Sequence, residues 1–128
     1  MKYTLLVSGP PYGTQNSSTA FLFSRAVIVS KNELLSIFFY CDGVLNANKL
    51  ISFPSDECNL FKKWVHLCQI CSVKLNVCVS AAYRRGILNK RVHNKYLQDM
   101  NTSESVFSFS GLSELGKYIE KSDRVIQF

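Results

Sequence analysis

LNVCVSAA, residues 75–82, is an apolar run that passes directly into small residues suited to open a helix. The run over residues 75–79 is close to continuously apolar, which is typical of a strand covered on both faces. Similar runs occupy residues 4–8, 35–40, 106–109 and 124–128. Helical patterns lie between these runs, and parallel neighbouring strands need such crossovers. The sequence therefore predicts an α/β protein, a single-domain three-layer sandwich with a mostly parallel five-stranded sheet flanked by helices.

The helical patterns cover residues 17–30, a segment after Pro54, a segment after Ser80, and a segment that follows Gly111 and reaches Glu120. In the second of these, Ser55 is the expected N-cap residue. The apolar side chains of that helix recur at helical spacing: Leu60, Phe61, Trp64, Val65 and Cys68. Residues 41–55 are rich in asparagine and predict a long loop, and residues 89–105 are polar and predict a short helix with an irregular tail.

The bulk composition fits one globular domain over residues 1–128. Hydrophobic residues make up 47% of the chain and charged residues 19%, enough apolar material for a core. No segment reaches the roughly 18 to 20 consecutive apolar residues of a membrane span, and the first 30 residues lack the pattern of a signal peptide. We therefore expect a cytoplasmic chain without membrane contact. The net charge of +6 is dispersed along the sequence, so no direct nucleic-acid binding is expected.

Five cysteines, an odd number without an export signal, predict free thiols: Cys41, Cys58, Cys68, Cys71 and Cys78. A zinc site at the C-x-x-C pair would need a second ligand pair, which His66 alone does not supply. A redox C-x-x-C would open a helix, whereas this one falls near the end of a predicted helix. We expect packing on one helix face there, and no metal or organic cofactor. His66 and His93 lack an obvious acidic or thiol partner in the sequence.

Functional groups of an open α/β sheet gather beyond the carboxyl ends of its strands. Three segments are expected there: residues 9–14, residues 41–43 and Cys78. At the start of a helix, and with Arg84 and Arg85 following, the Cys78 thiol is expected to be accessible and to favour its reactive thiolate form. By residue statistics alone, a small buried core residue is the competing interpretation.

The GPPYGT loop, residues 9–14, resembles a phosphate cradle only superficially. Three residues separate its glycines and no lysine follows, so it is not a P-loop, and it also lacks the dinucleotide pattern. A flavin site there rests on fold analogy alone. The loop is expected to form a rigid turn that displays Tyr12 and borders the same edge as Cys78.

Several stretches together closely resemble sulfurtransferase subunits of the DsrE-like family, in order and over nearly the whole chain. They are GPPYGTQ (9–15), STAFLFSRAVI (18–28), FFY (38–40), GV (43–44), NAN (46–48), LNVCV (75–79), AA (81–82), RRG (84–86) and DRVIQF (123–128). The resemblance implies that Cys78 is the catalytic residue and carries sulfur as a persulfide, without a cofactor.

The resemblance also implies partners. These are TusB-like and TusC-like sister subunits in a heterohexamer, a dimer of trimers, together with a TusA-like sulfur donor and a TusE-like acceptor. The implied pathway is 2-thiolation of the tRNA wobble uridine. Three alternatives stay open: a DsrE-type subunit of dissimilatory sulfur oxidation, a nucleotide- or flavin-binding module with an inert cysteine, and a structural subunit.

Overall fold

The computed structural model describes residues 1–89 and 106–128, so residues 90–105, including His93 and most of the predicted short helix, lie outside the described residues. The elements run in the order β1 Lys2–Val7, α1 Asn16–Val29, β2 Glu33–Phe39, a 3₁₀ helix Cys41–Ala47, α2 Leu60–Ile70, β3 Lys74–Cys78, α3 Val79–Arg84, β4 Phe107–Ser110, α4 Leu112–Lys121 and β5 Arg124–Gln127. No helix in these two ranges is long and apolar enough to cross a membrane.

The five strands form one sheet in the order β4-β3-β2-β1-β5, and every neighbouring pair is parallel. Strands β1 to β4 are laid down in one direction across the sheet, and β5 then returns to the free edge of β1. The predicted five-stranded α/β sheet is confirmed, and its strands begin and end within two residues of the predicted positions.

Helices cover both faces of the sheet. On one face, Trp64 of α2 packs against Phe39 of β2, with ring centroids 5.4 Å apart. On the other face, Ser122, directly after α4, donates its hydroxyl to Oγ1 of Thr4 at 2.7 Å. Thr4 lies three residues before Val7, the β1 partner of Phe39, so Thr4 and Phe39 point to opposite faces. This arrangement gives the three layers expected from the sequence.

The predicted N-cap of α2 is wrong. The helix begins at Leu60, and the Oδ1 atom of Asn59 accepts a hydrogen bond from the backbone N–H of Lys62 at 3.1 Å. Ser55 lies in a turn, where the N–H of Glu57 donates to the carbonyl of Pro54 at 3.0 Å. Asn59 therefore satisfies one of the free N–H groups of the first helical turn, which Ser55 is too far away to do.

The predicted long loop over residues 41–55 is also partly wrong, because its first half is the 3₁₀ helix Cys41–Ala47. Asparagines and a glycine in this segment are typical of turns, but here they form a compact helical turn that packs on α2, α3 and β3. This short helix lies where β2 leaves the sheet, next to the end of β3.

Candidate active site

The carboxyl ends of four parallel strands meet at one edge of the sheet. Val7 pairs with Phe39, Phe39 with Val77, and Cys78 with Ser110. Residues 9–14, residues 41–43 and Cys78 therefore lie at the same edge, as the sequence predicted. Tyr12 of the first segment is exposed, as expected.

Cys78 is the last residue of β3 and at the same time the N-cap residue of α3. Strand alternation places it on the face of Asn76, opposite the face covered by α1 and α2. Its side chain is only 4% exposed. The expectation of an accessible thiol is therefore wrong for this structure. The reason is that α3 begins immediately after Cys78, and the 3₁₀ helix packs against both β3 and α3.

The guanidinium of Arg85 has partners other than the thiol. Its Nε donates to Oδ1 of Asp42 at 2.9 Å, and its Nη1 donates to the carbonyl of Ala81 at 3.1 Å. The Asp42 carboxylate offsets the positive charge that the sequence analysis expected Arg85 to add near Cys78. The pair instead ties α3 to the 3₁₀ helix.

Asn46 is a buried polar hub beneath the loop that follows β1. Its Nδ2 donates to Oγ of Ser17 at 2.8 Å, to the carbonyl of Gly43 at 2.8 Å and to the carbonyl of Gly9 at 3.3 Å. Its Oδ1 accepts from Nε1 of Trp64 at 3.0 Å. One fully buried side chain thus connects the loop after β1, the start of α1, the 3₁₀ helix and α2.

The 3₁₀ helix also approaches β1 very closely. The N–H of Tyr40 donates to the carbonyl of Val7 at 2.9 Å, and the N–H of Gly43 donates to the carbonyl of Tyr40 at 2.8 Å. A Cβ atom at Gly43 would overlap the Val7 carbonyl oxygen. Glycine is required here because backbone meets backbone without room for a side chain.

A row of hydrogen-bonded polar side chains crosses the sheet on the face of Cys78. It is centred on Asn76, two residues before Cys78 in β3. Nδ2 of Asn76 donates to Oγ of Ser36 at 2.8 Å, and Oγ of Ser110 donates to Oδ1 of Asn76 at 3.0 Å. Asn76 and Ser36 are buried, and Ser110 is the register partner of Cys78. The row links β2, β3 and β4 on the face that carries the thiol.

All five cysteines are free, as expected. Cys41 and Cys58 are exposed. Cys68 lies in α2 and donates its thiol to the carbonyl of Val73 at 3.6 Å, but Cys71 is the residue after the helix, so only Cys68 packs on the helix as predicted. In residues 1–89 and 106–128, no three His, Cys, Asp or Glu side chains come together as a metal site would require.

Sequence reasoning missed the roles of Asn46 and Asn76. Asn76 stands two residues before the cysteine in the run LNVCV, where an isolated amide in an apolar strand is a signal of a buried hydrogen bond. Asn46 carries no such signal, because it lies close to Asn48 in a segment without a strand or helix pattern.

The chain is similar in sequence to known proteins over its whole length. Residues 1–128 match the DsrE/DsrF-like family. The sulfurtransferase TusD of Buchnera aphidicola subsp. Baizongia pistaciae is 55% identical over 130 residues, which cover 100% of both chains. The sulfurtransferase TusD of Yersinia pestis (strain Pestoides F) is 44% identical over 128 residues, covering 100% of this chain and 98% of that protein.

Among solved structures, the ychN protein from E. coli has the same fold. The two chains superpose with a TM-score of 0.76 over 100% of each, at 19% sequence identity. At that identity the likeness concerns the fold, in which helices on both faces enclose a five-stranded parallel sheet.

Proposed function

Because this chain belongs to the DsrE/DsrF-like family and is a sulfurtransferase, we propose that it carries sulfur as a persulfide on Cys78. The observation that carries the proposal is the position of Cys78 at the carboxyl end of β3. Strand β3 lies between β4 and β2, and its carboxyl end is at the edge where α/β proteins bind and transform their ligands. Cys41 also lies at this edge, one residue beyond Tyr40.

The proposed reaction is a pair of thiol exchanges. The Cys78 thiolate attacks the terminal sulfur of a donor persulfide, the S–S bond of the donor breaks, and the donor cysteine leaves as a thiolate. Cys78 then carries the outer sulfur as Cys-S-SH. An acceptor thiolate attacks that outer sulfur and releases the Cys78 thiolate. Electrons and sulfur atoms balance in each step, so neither a metal nor an organic cofactor takes part.

Burial of Cys78 suits a carrier that protects its persulfide from solution. It also means that a donor protein must gain access to the buried thiol. A persulfide held at a site that is 4% exposed is shielded from small thiols in solution, which would otherwise remove the outer sulfur. For transfer, the donor must gain access to Sγ, and the segments that adjoin it are the 3₁₀ helix and the six-residue α3. Docking of a partner at this edge would therefore be coupled to opening.

We extend the proposal to the relay for 2-thiolation of the tRNA wobble uridine. Its support is the full-length identity of 44% and 55% to proteins named sulfurtransferase TusD. In this relay a TusA-like protein donates the sulfur, a TusE-like protein accepts it, and TusB-like and TusC-like subunits complete a cytoplasmic hetero-oligomer. Direct binding of nucleic acid by this chain is not part of the proposal.

The test is transfer of radiolabelled sulfur from the donor protein to this chain and onward to the acceptor and tRNA. Cys78→Ser should stop labelling of this chain, since a hydroxyl cannot hold sulfane sulfur. Cys78→Ala is a second variant, because it brings no hydroxyl into a buried position. Both variants should keep the thermal stability and assembly of the original chain closely enough for transfer to be compared.

Cys41→Ser and Cys58→Ser are matched controls that remove an exposed thiol and leave Cys78 in place. Both controls should transfer sulfur at the original rate. Full tRNA thiolation by an assembled complex bearing Cys78→Ala would refute the proposed carrier, and loss of transfer in Cys41→Ser alone would move the role to Cys41.

A further inference from the structure

A groove between α1 and α2 is lined by cations and has an apolar floor. It encloses about 460 Å³. Its basic side chains come from both helices: Arg25, Lys62, Lys63 and His66. Its floor consists of Phe21, Leu67 and Ile70. The groove lies in the helical layer opposite the face of Cys78, so it is separate from the proposed sulfur-carrying site.

The charge of this groove is uncompensated within the part of the chain that the structure describes. No carboxylate of residues 1–89 or 106–128 lines it. The two ion pairs found in the same residues, Arg85 with Asp42 and Lys117 with Glu114, lie elsewhere. Like charges gathered in a concave surface raise the local positive potential, which attracts an anionic partner.

The apolar floor distinguishes the groove from an ordinary lysine-rich surface. Ile70 is 64% exposed, whereas Trp64 and Leu67 of the same helix are buried in the core. Nζ of Lys63 lies 5.5 Å from the centroid of the Phe21 ring, a cation–π contact that holds this ammonium group at the floor. A partner that fits must therefore offer both negative charge and an apolar side chain.

We propose that this groove binds a carboxylate-rich amphipathic segment of a partner protein. Its carboxylates pair with Arg25, Lys62 and Lys63, and an apolar side chain of the same segment contacts Ile70. Such pairing of an apolar anchor with a charged rim is typical of helix-in-groove recognition. The proposal does not depend on the role of Cys78.

Single-stranded RNA fits the groove less well. RNA strands bind basic grooves by stacking their bases on exposed aromatic rings. Apart from the imidazole of His66, the groove has one aromatic ring, Phe21, which is 8% exposed and in edge contact with Trp64 at 5.2 Å between centroids. The phenyl ring therefore offers no free face to a base.

The probe is a fluorescein-labelled synthetic helical peptide with a stripe of leucines flanked on both sides by glutamates, so that both kinds of side chain can face the groove. Binding to the full chain is followed by fluorescence anisotropy at low and at physiological salt. The peptide should bind, and its affinity should fall as salt rises. The same peptide with lysines in place of the glutamates, and a version with serines in place of the leucines, should both bind at least about tenfold more weakly.

Variants locate the binding surface. The double variant Arg25→Glu with Lys62→Glu places one reversed charge on each helix and should weaken peptide binding by about tenfold or more. Lys31→Glu with Lys49→Glu changes the net charge equally outside the groove and should change affinity by less than about twofold. Should the groove double variant fail to fold, Arg25→Gln with Lys62→Gln replaces it.

Ile70→Ser tests the floor, and since Ile70 is exposed its loss leaves the core intact. It should weaken peptide binding severalfold. An equal loss in the Lys31 and Lys49 control, or no preference for the glutamate peptide over its lysine version, would overturn the proposal. Tight binding of an oligouridine that depends on Arg25 and Lys62 but not on Ile70 would assign the groove to nucleic acid instead.

Discussion

Arg85 donates from Nε to Oδ1 of Asp42 at 2.9 Å, and this ion pair joins the helix that follows Cys78 to the 3₁₀ helix that follows β2. The two side chains are 30% and 59% exposed, so solvent screens the pair and its contribution to folding stability is below about 1 kcal/mol. Its larger effect is local, since it holds α3 and the 3₁₀ helix together next to the end of β3.

Arg85→Ala should therefore increase the rate at which iodoacetamide alkylates Cys78 severalfold, while lowering Tm by no more than about 4 °C. The reason is that the untied 3₁₀ helix and α3 separate more often. Mass spectrometry of timed samples measures the rate. Lys117→Ala, which breaks the exposed pair with Glu114 on α4, is the control and should leave alkylation unchanged. Equal alkylation rates in both variants would contradict the tethering role.

Asn46→Ala should lower the free energy of unfolding by about 2 to 4 kcal/mol, because it leaves buried partners without hydrogen bonds. The groups that lose a hydrogen bond are the indole N–H of Trp64 and the carbonyls of Gly43 and Gly9, of which Gly9 still accepts from the Ser17 hydroxyl at 2.6 Å. Urea denaturation followed by Trp64 fluorescence measures the change. Asn48→Ala, which removes only one bond to the N–H of Leu50, should cost less than about 1 kcal/mol. Similar losses in the two variants would argue against a hub at Asn46.

Two glycine substitutions should act in opposite directions. Gly43→Ala forces a methyl group against the Val7 carbonyl, which belongs to a central strand and cannot move away, so Tm should fall sharply or the chain should fail to fold. Gly116→Ala lies in α4 with nothing near its added methyl group, and it should stabilise the protein by about 0.5 to 1 kcal/mol through helix propensity. Differential scanning calorimetry distinguishes them. A neutral Gly43→Ala would mean that the 3₁₀ helix can shift away from β1.

The five thiols should react in the order of their exposure in the native chain. A brief pulse of a bulky maleimide should label Cys41 and Cys58 first and Cys78 last, because the reagent reaches only thiols at the surface. Peptide mapping gives the extent at each position, and labelling in urea, where exposure is equalised, serves as reference. Native labelling of Cys78 as fast as that of Cys58 would show that the strand end opens without a partner.

The strands and the parallel sheet were predictable because their signals are local. Each strand is a short apolar run, and each run is followed by a helical pattern that provides a crossover. The position of Cys78 at the carboxyl edge followed from the same reasoning. Its proposed role as the sulfur carrier was less predictable, since a cysteine in an apolar strand is also typical of a core; its position before a helix favoured a reactive thiolate, and the family resemblance implied the carrier role.

The errors arose where distant contacts decide the local structure. The 3₁₀ helix has no periodic pattern, and it is held by Asn46 bonds to residues 18 and 37 positions away in the chain. The choice of Asn59 over Ser55 as N-cap depends on where α2 must begin to bury Trp64 in the core. Burial of Cys78 likewise depends on α3 and the 3₁₀ helix together, and neither a strand pattern nor a helix pattern reports on such packing.

The order of strands in the sheet also affects how the chain folds during synthesis. The N–H of Lys2 in β1 donates to Oδ2 of Asp123, 121 residues away, and β1 then pairs with β5 from Tyr3 onward. As the nascent chain leaves the ribosome, β1 can pair with β2 early, but its other edge stays open until β5 is synthesised. Pairing at such separation is slow, and an open strand edge invites association with other chains. Strand β1 is thus synthesised before the other strands of the sheet but gains its second neighbour last. Chaperones that shield the exposed strand edges of nascent chains should therefore matter most for β1.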